Sequence, residues 1–287
     1  MRRSPPRLLP PPREPRCARL RCWMARAWKL ARGQRVPRVL LLCAASGMTE
    51  AEAALAGAHV TSVSVQPSRG WCGTHLQTSA EDYLVELRAE YKQRLRRLER
   101  AGTLERVALV QLLSSWGLWR LRRQDICLAH PSCKIIGTCG RAQGRSKREV
   151  QRALQLPLDL LLDKSGVFEA VYVENPAGGI LQQRWRALGH APTQIIEYWQ
   201  FGNTADDRNR TAKQTAIFAG LTNSSVQCLA PDNQEPPRRG LILTEKGPRG
   251  ERGWLDMWGV GMSEREFARE ATPPGLAHAY ARDLLVL

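Results

Sequence analysis

Between Arg38 and Val65 the chain changes character three times, and this constrains its fold more than any other feature. "RVLLLCAASG" (Arg38 to Gly47) is an apolar run ending in small residues, as a strand buried on both faces and feeding a tight turn requires. "TEAEAALAGA" reads as a helix, with Thr49 as its N-cap and Gly57 as its stop. "HVTSVSV" (His59 to Val65) is β-branched and alternating, hence a second strand. Strand, small-residue turn, helix and strand in so short a span make a βαβ unit. That unit predicts an α/β fold: a doubly wound, Rossmann-like sheet with helices on both faces.

"DICLA" and "FEAVYVENPAGG" add buried strands; "QIIEYWQFG" reads as one more, followed by a polar loop and "TAIFAGL". Asp82 to Arg123 reads as helical and strongly basic, so 83–123 is taken as a helical insertion. "EVQRALQLPLDLLLDKSG" reads as a helix interrupted near Pro157, residues 222–253 as loop, and "PPGLAHAYARDLLVL" as a closing helix. Residues 1–37 are rich in Pro and Arg with one acid, Glu14, and are expected to form a disordered tail. Within it, Cys22 to Arg32 has the composition of a short basic amphipathic helix. The folded domain is then 38–287.

Net charge is +16, which favours a polyanionic partner, nucleic acid before an anionic membrane; the bland alternative is a coding bias that enriches Arg. The longest apolar stretch, Val39 to Ala45, is far short of a membrane span, so no membrane partner is expected. Eight cysteines contain no C-x-x-C pair, which points to free thiols in a reducing intracellular compartment, cytoplasm or nucleus. Cys127, His130, Cys133 and Cys139 lack the spacing of a zinc knuckle, and no metal is expected.

The chemistry gathers at strand tips. "DICLAHPSC" runs from a buried strand into a rigid turn holding Cys133, and "VYVENP" ends another strand in Glu174. In an open α/β sheet, ligands bind beyond the carboxyl ends of the strands, so the two residues would share one cleft. A thiol attacks as its thiolate; Lys134 and Arg141 would provide the positive setting that lowers its pKa. A carboxylate opposite it would engage a ring nitrogen, a pairing suited to covalent attack on an electron-poor heterocycle. The blander readings are a cysteine filling a strand end, a glutamate in an ion pair, and a structural His130.

"DICLAHPSC" followed by "VYVENPAGG" resembles the motifs of cytosine-C5 DNA methyltransferases, and more closely the small phage- and virus-borne members of that superfamily. The likeness continues through "LQQRWRALGHAPTQIIEYWQFG" and "PPGLAHAYA". It implies a methyltransferase-type Rossmann-like sheet, with DNA as substrate and S-adenosylmethionine as cofactor. It further implies Cys133 as nucleophile on C6 of a flipped cytosine and Glu174 on N3. Ser46, Gly47, Ser64 and Pro131 would line the cofactor site, and Arg184, Arg186, Lys134 and Arg141 would meet the nucleic acid. Departures are visible. Ser64 and Gln66 stand where a ribose-binding acid is usual, Ser132 replaces a second proline, and Ala45 replaces an aromatic. These departures keep open a second reading: a catalytically decayed scaffold acting as a nucleic-acid-binding or virion protein. An amino-methyltransferase is disfavoured, because that chemistry needs a polar-Pro-Pro-aromatic tip.

Overall fold

The computed structural model describes residues 16–43, 47–67, 73–100, 124–136, 146–203, 213–223, 225–237 and 272–284; the side chains of 16–19, 98, 99, 124, 133 and 134 are outside the description. The strands are β1 (Arg38–Leu42), β2 (His59–Ser64), β3 (Thr74–Gln77), β4 (Gln124–Ala129), β5 (Phe168–Pro176), β6 (Gln194–Glu197) and β7 (Gln214–Ala219). They form one seven-stranded sheet in the order β3-β2-β1-β4-β5-β7-β6. β1 to β5 pair in parallel, and β7 runs antiparallel to both neighbours. The helices are α1 (Arg16–Ala31), α2 (Met48–Leu55), α3 (Ala80–Arg100), α4 (Cys133–Ile136), α5 (Lys147–Leu161), α6 (Ile180–Ala187) and α7 (Pro274–Ala279). α7 continues into a π-helical turn, Tyr280–Leu284. The chain is an α/β protein with a mostly parallel sheet of the Rossmann-like kind.

Two cores explain why the central strands are apolar throughout. On the first face, Val39, Leu41, Ile126, Leu128 and Tyr172 pack against α2, α7 and the turn after α7 through Ala53, Ala54, Leu276 and Tyr280. On the second, Leu40, Leu42, Cys127, Ala129, Val171 and Val173 meet Leu84 and Leu87 of α3, Leu160 and Leu161 of α5, and Leu181 and Trp185 of α6. Alternate residues of β1, β4 and β5 thus serve opposite cores, which is why these strands read as near-continuous apolar runs.

Several expectations need correction. Thr49 does not cap α2: Gly47 takes that place at φ 76°, and Thr49 is already buried in the first turn. The turn arrives in the left-handed region, which glycine adopts without steric cost. The short basic helix expected at Cys22 to Arg32 is present, starts earlier, and forms α1, Arg16–Ala31, with its Cys22 buried in the first core. That docking supplies the packing a helix of this length needs. Pro157 does not interrupt α5. Its ring is buried beside Leu154 and Leu160, and this burial, with the Ser146–Glu149 capping box, offsets the roughly 3 kcal/mol a helix-interior proline costs. In "QIIEYWQFG" only Gln194–Glu197 is strand, and Tyr198–Gln200 turns into a 3-10 helix. Residues 101–123, the rest of the expected basic helical segment, lie outside the described residues.

Asp125 anchors the amino-terminal edge of the sheet. Its side chain is fully buried, accepts a hydrogen bond from Arg35, and accepts another from the Arg38 backbone N–H at 2.7 Å. Arg35 also pairs with Glu169 at 3.0 Å. Removing one partner of a buried ion pair leaves an undercompensated charge. Arg35→Ala is therefore expected to destabilise the fold by about 2 kcal/mol. Urea unfolding checks this, and an unchanged midpoint would contradict it.

Candidate active site

The sheet order reverses beside β1: β2 and β3 lie to one side of it, β4 and β5 to the other. A crevice for ligands is expected beyond the carboxyl ends of β1 and β4. Here the backbone is unusual. Cys43, directly after β1, is held at φ 60°, a conformation rare without glycine, and Gly47 follows at φ 76°. Ser46, between them, lies outside the described residues. Ser64, at the end of β2, is buried, and its hydroxyl accepts from the Gln66 backbone N–H at 3.2 Å.

Strand periodicity aims the next groups. Ile126 and Leu128 face the first core, so His130 follows on that face; Ala170 and Tyr172 place Glu174 there too. Parallel pairing aligns Ala129 with Val173, which brings His130 beside Glu174. His130 Nδ1 and Glu174 Oε2 are 3.1 Å apart, and the Thr215 hydroxyl donates to Glu174 Oε1. Asn175 faces the other way, and its buried amide donates to the Pro131 carbonyl at 3.2 Å. The tip of β5 therefore holds the turn leading to Cys133 at two points. Cys133 opens α4, and Ile136, at its end, is buried in the second core, to which α5 and α6 also contribute.

Glu174 is a stabilised anion. Burial pushes its pKa up, but the His130 hydrogen bond, the Lys213 charge and the Thr215 hydroxyl outweigh it and hold the carboxyl at about 2. Tyr280, from the turn after α7, covers the pair with its ring centroid 5.8 Å from that of His130. Its phenol is buried and meets no hydrogen-bond partner among the described residues; burial, with the Glu174 charge, raises its pKa. Glu50, in the first turn of α2, is fully buried, and burial raises its pKa despite its own backbone N–H, the His130 charge and the nearby Ser62 hydroxyl. Among the described residues, neither of its carboxylate oxygens has a well-formed hydrogen bond.

The other anticipated residues are scattered. Pro131 is buried in the turn; Arg184 and Arg186 are exposed in the last turn of α6, the helix that leaves the β5 tip. Lys134 is described by its backbone alone, and Arg141 lies outside the described residues. Cys127 is fully buried on the second face, with its thiol pKa raised by burial, while His130 is on the first. These two groups of the rejected zinc set are thus parted by the sheet. Thr215, Asn175, Glu50 and Lys213 were not anticipated as site residues. Asn175 stood in the quoted motif; the antiparallel pairing that delivers Thr215 has no local sequence signal. Compared with known proteins, the chain matches no family model and no curated protein.

Proposed function

We propose that the protein is a cytosine-C5 DNA methyltransferase, built on a methyltransferase-type sheet, with Cys133 as nucleophile and Glu174 as its acidic partner. The observation that carries this reading is the double grip of β5 on the Cys133 turn: Glu174 against His130, Asn175 on the Pro131 carbonyl. A structural glutamate at a strand end has no need of a neighbour that fixes a cysteine-bearing turn. The antiparallel β7 inserted between β5 and β6 separates the sheet from the dinucleotide-binding order and fits the methyltransferase type.

The residues present fit one end of S-adenosylmethionine better than the other. Gly47 in its left-handed turn permits close backbone approach at the start of α2, and the fully buried acidic side chain of Glu50 beside it suits a cationic ligand. Ser64, turned toward Gln66, gives a ribose no bidentate acceptor. The cofactor, when bound, supplies the methyl group. The Cys133 thiolate adds to C6 of a flipped cytosine, breaking the C5–C6 double bond, while Glu174 shares a proton with N3 and takes up the charge of the adduct. Its surroundings hold Glu174 as the anion, so that proton is taken from solvent as the base enters. Once C5 carries the methyl group, its proton passes to solvent water, the electron pair of that C–H bond re-forms the C5–C6 double bond, and Cys133 leaves C6 as the thiolate.

DNA containing 5-fluorocytosine tests this directly, because fluorine at C5 cannot leave as a proton. With S-adenosylmethionine, the wild type is expected to form an adduct that survives denaturing electrophoresis, and Cys133→Ala none. The absence of an adduct with the wild type would refute methyl transfer. It would favour the second reading, a nucleic-acid-binding protein on a decayed scaffold, which the occupied hydroxyl of Ser64 and the net charge of +16 support. DNA retention equal in wild type and Cys133→Ala, without cofactor binding, would then establish that reading.

A further inference from the structure

Helix α1 touches the body with one side only. Cys22 is buried in the first core, the Ala25 carbonyl and Lys29 side chain lie against Gly57, and Arg26 reaches the His59 ring at 3.3 Å. At 3.6 residues per turn, Leu20, Trp23, Met24, Trp28 and Leu30 turn outward, and all five are between 55% and 64% exposed. Isolated exposed apolar residues are ordinary, but five large ones on one helix face mark an interaction site. Cations border this stripe. Arg21 and Arg32 flank Trp28, with the Arg32 guanidinium 4.2 Å from the ring centroid, and Arg26 lies past Leu30. No acid occurs between Glu14 and Glu50, so nothing nearby in sequence neutralises them.

We infer that α1 is an interfacial helix by which the protein rests on an anionic lipid surface. The five apolar side chains enter the boundary between headgroups and acyl chains, and the flanking arginines meet the anionic headgroups. At about 1.5 Å per residue the helix is too short to cross the roughly 30 Å of a bilayer core, and it does not need to. The sequence expectation set membranes aside on the lack of a spanning run, a criterion an interfacial helix does not have to meet. A nucleic acid is a poorer occupant: it would use the two indole rings by stacking but offers no apolar phase for Leu20, Met24 and Leu30. The inference does not depend on the chemistry of Cys133.

Co-sedimentation of the full chain tests it, using phosphatidylcholine vesicles with and without one third phosphatidylserine. Binding at least tenfold tighter to the anionic vesicles is expected, with a blue shift of tryptophan emission. The double variant Trp23→Ser/Met24→Ser is expected to lose at least tenfold of that binding while keeping its melting temperature and DNA retention. Arg21→Glu/Arg32→Glu is expected to abolish the preference for anionic lipid. Vesicle binding unaffected by the serine variant would overturn the inference. So would a wild-type dimer that the variant converts to monomer without any vesicle binding, or loss of DNA retention in its place.

Discussion

Glu174→Gln is expected to lower the proposed methyl transfer by about a hundredfold or more, the range in which a positioned acid or base contributes. Glutamine keeps the shape and can still accept from Thr215, but it cannot share a proton with a ring nitrogen. The same substitution has a second consequence that does not require activity. The folded-state pKa of Glu174 is about 2, against an ordinary 4.5, so its charge favours the native state. For a depressed carboxyl, that stability is fully present above pH 4.5 and is lost as pH falls through 4.5 toward 2. The shift corresponds to something on the order of 3 kcal/mol. Urea unfolding between pH 5 and 2 should therefore show a steeper loss in wild type than in Glu174→Gln. Equal slopes would mean that His130 and Thr215 do not hold the anion as described. A normal pH slope with unchanged methyl transfer would remove Glu174 from the chemistry.

Gly275→Ala is expected to be the most damaging single methyl group on the first face. A Cβ there would lie 2.7 Å from the Phe201 carbonyl carbon and 2.9 Å from the Gly202 Cα, and closer still to the Phe201 oxygen. These are backbone atoms, so no side chain can swing aside, and α7 must shift as a body. Overpacking of this kind costs about 3 kcal/mol. The melting temperature should fall by about 10 °C. Displacing α7 also displaces Tyr280 from its place over His130. Gly189→Ala is the control: its φ of +86° brings strain, but no atom lies within 4 Å of the added group. Its expected cost is about 1 kcal/mol, the left-handed penalty alone. Similar melting points for the two variants would show that α7 does not seat against Phe201.

The parts of the fold readable from sequence are those with strong local signals. β1, β4 and β5 are buried on both faces and so read as unbroken apolar runs; α2 and β2 follow from the change of period beside them. β3 was invisible because Thr74–Gln77 is an edge strand whose residues are mostly exposed, so burial selected no pattern there. The candidate site divides in the same way. Cys133 and Glu174 were legible as motifs because each sits in a short segment with its own chemistry. His130, read as structural, lies against Glu174, and the pairing of β4 with β5 that joins them has no local signature.

Composition and period alone determined that this chain would build a mostly parallel sheet covered by helices, because burial on both faces leaves its mark residue by residue. Tertiary structure decided what surrounds Glu174. Thr215 comes from a strand reversed in direction, Tyr280 from the far end of the chain, and Asn175 acts on a carbonyl of the neighbouring strand's turn. It also decided that α1 would dock through Cys22 and leave its tryptophans in solvent. Contacts between distant segments depend on strand order and register, and no single stretch of sequence encodes either.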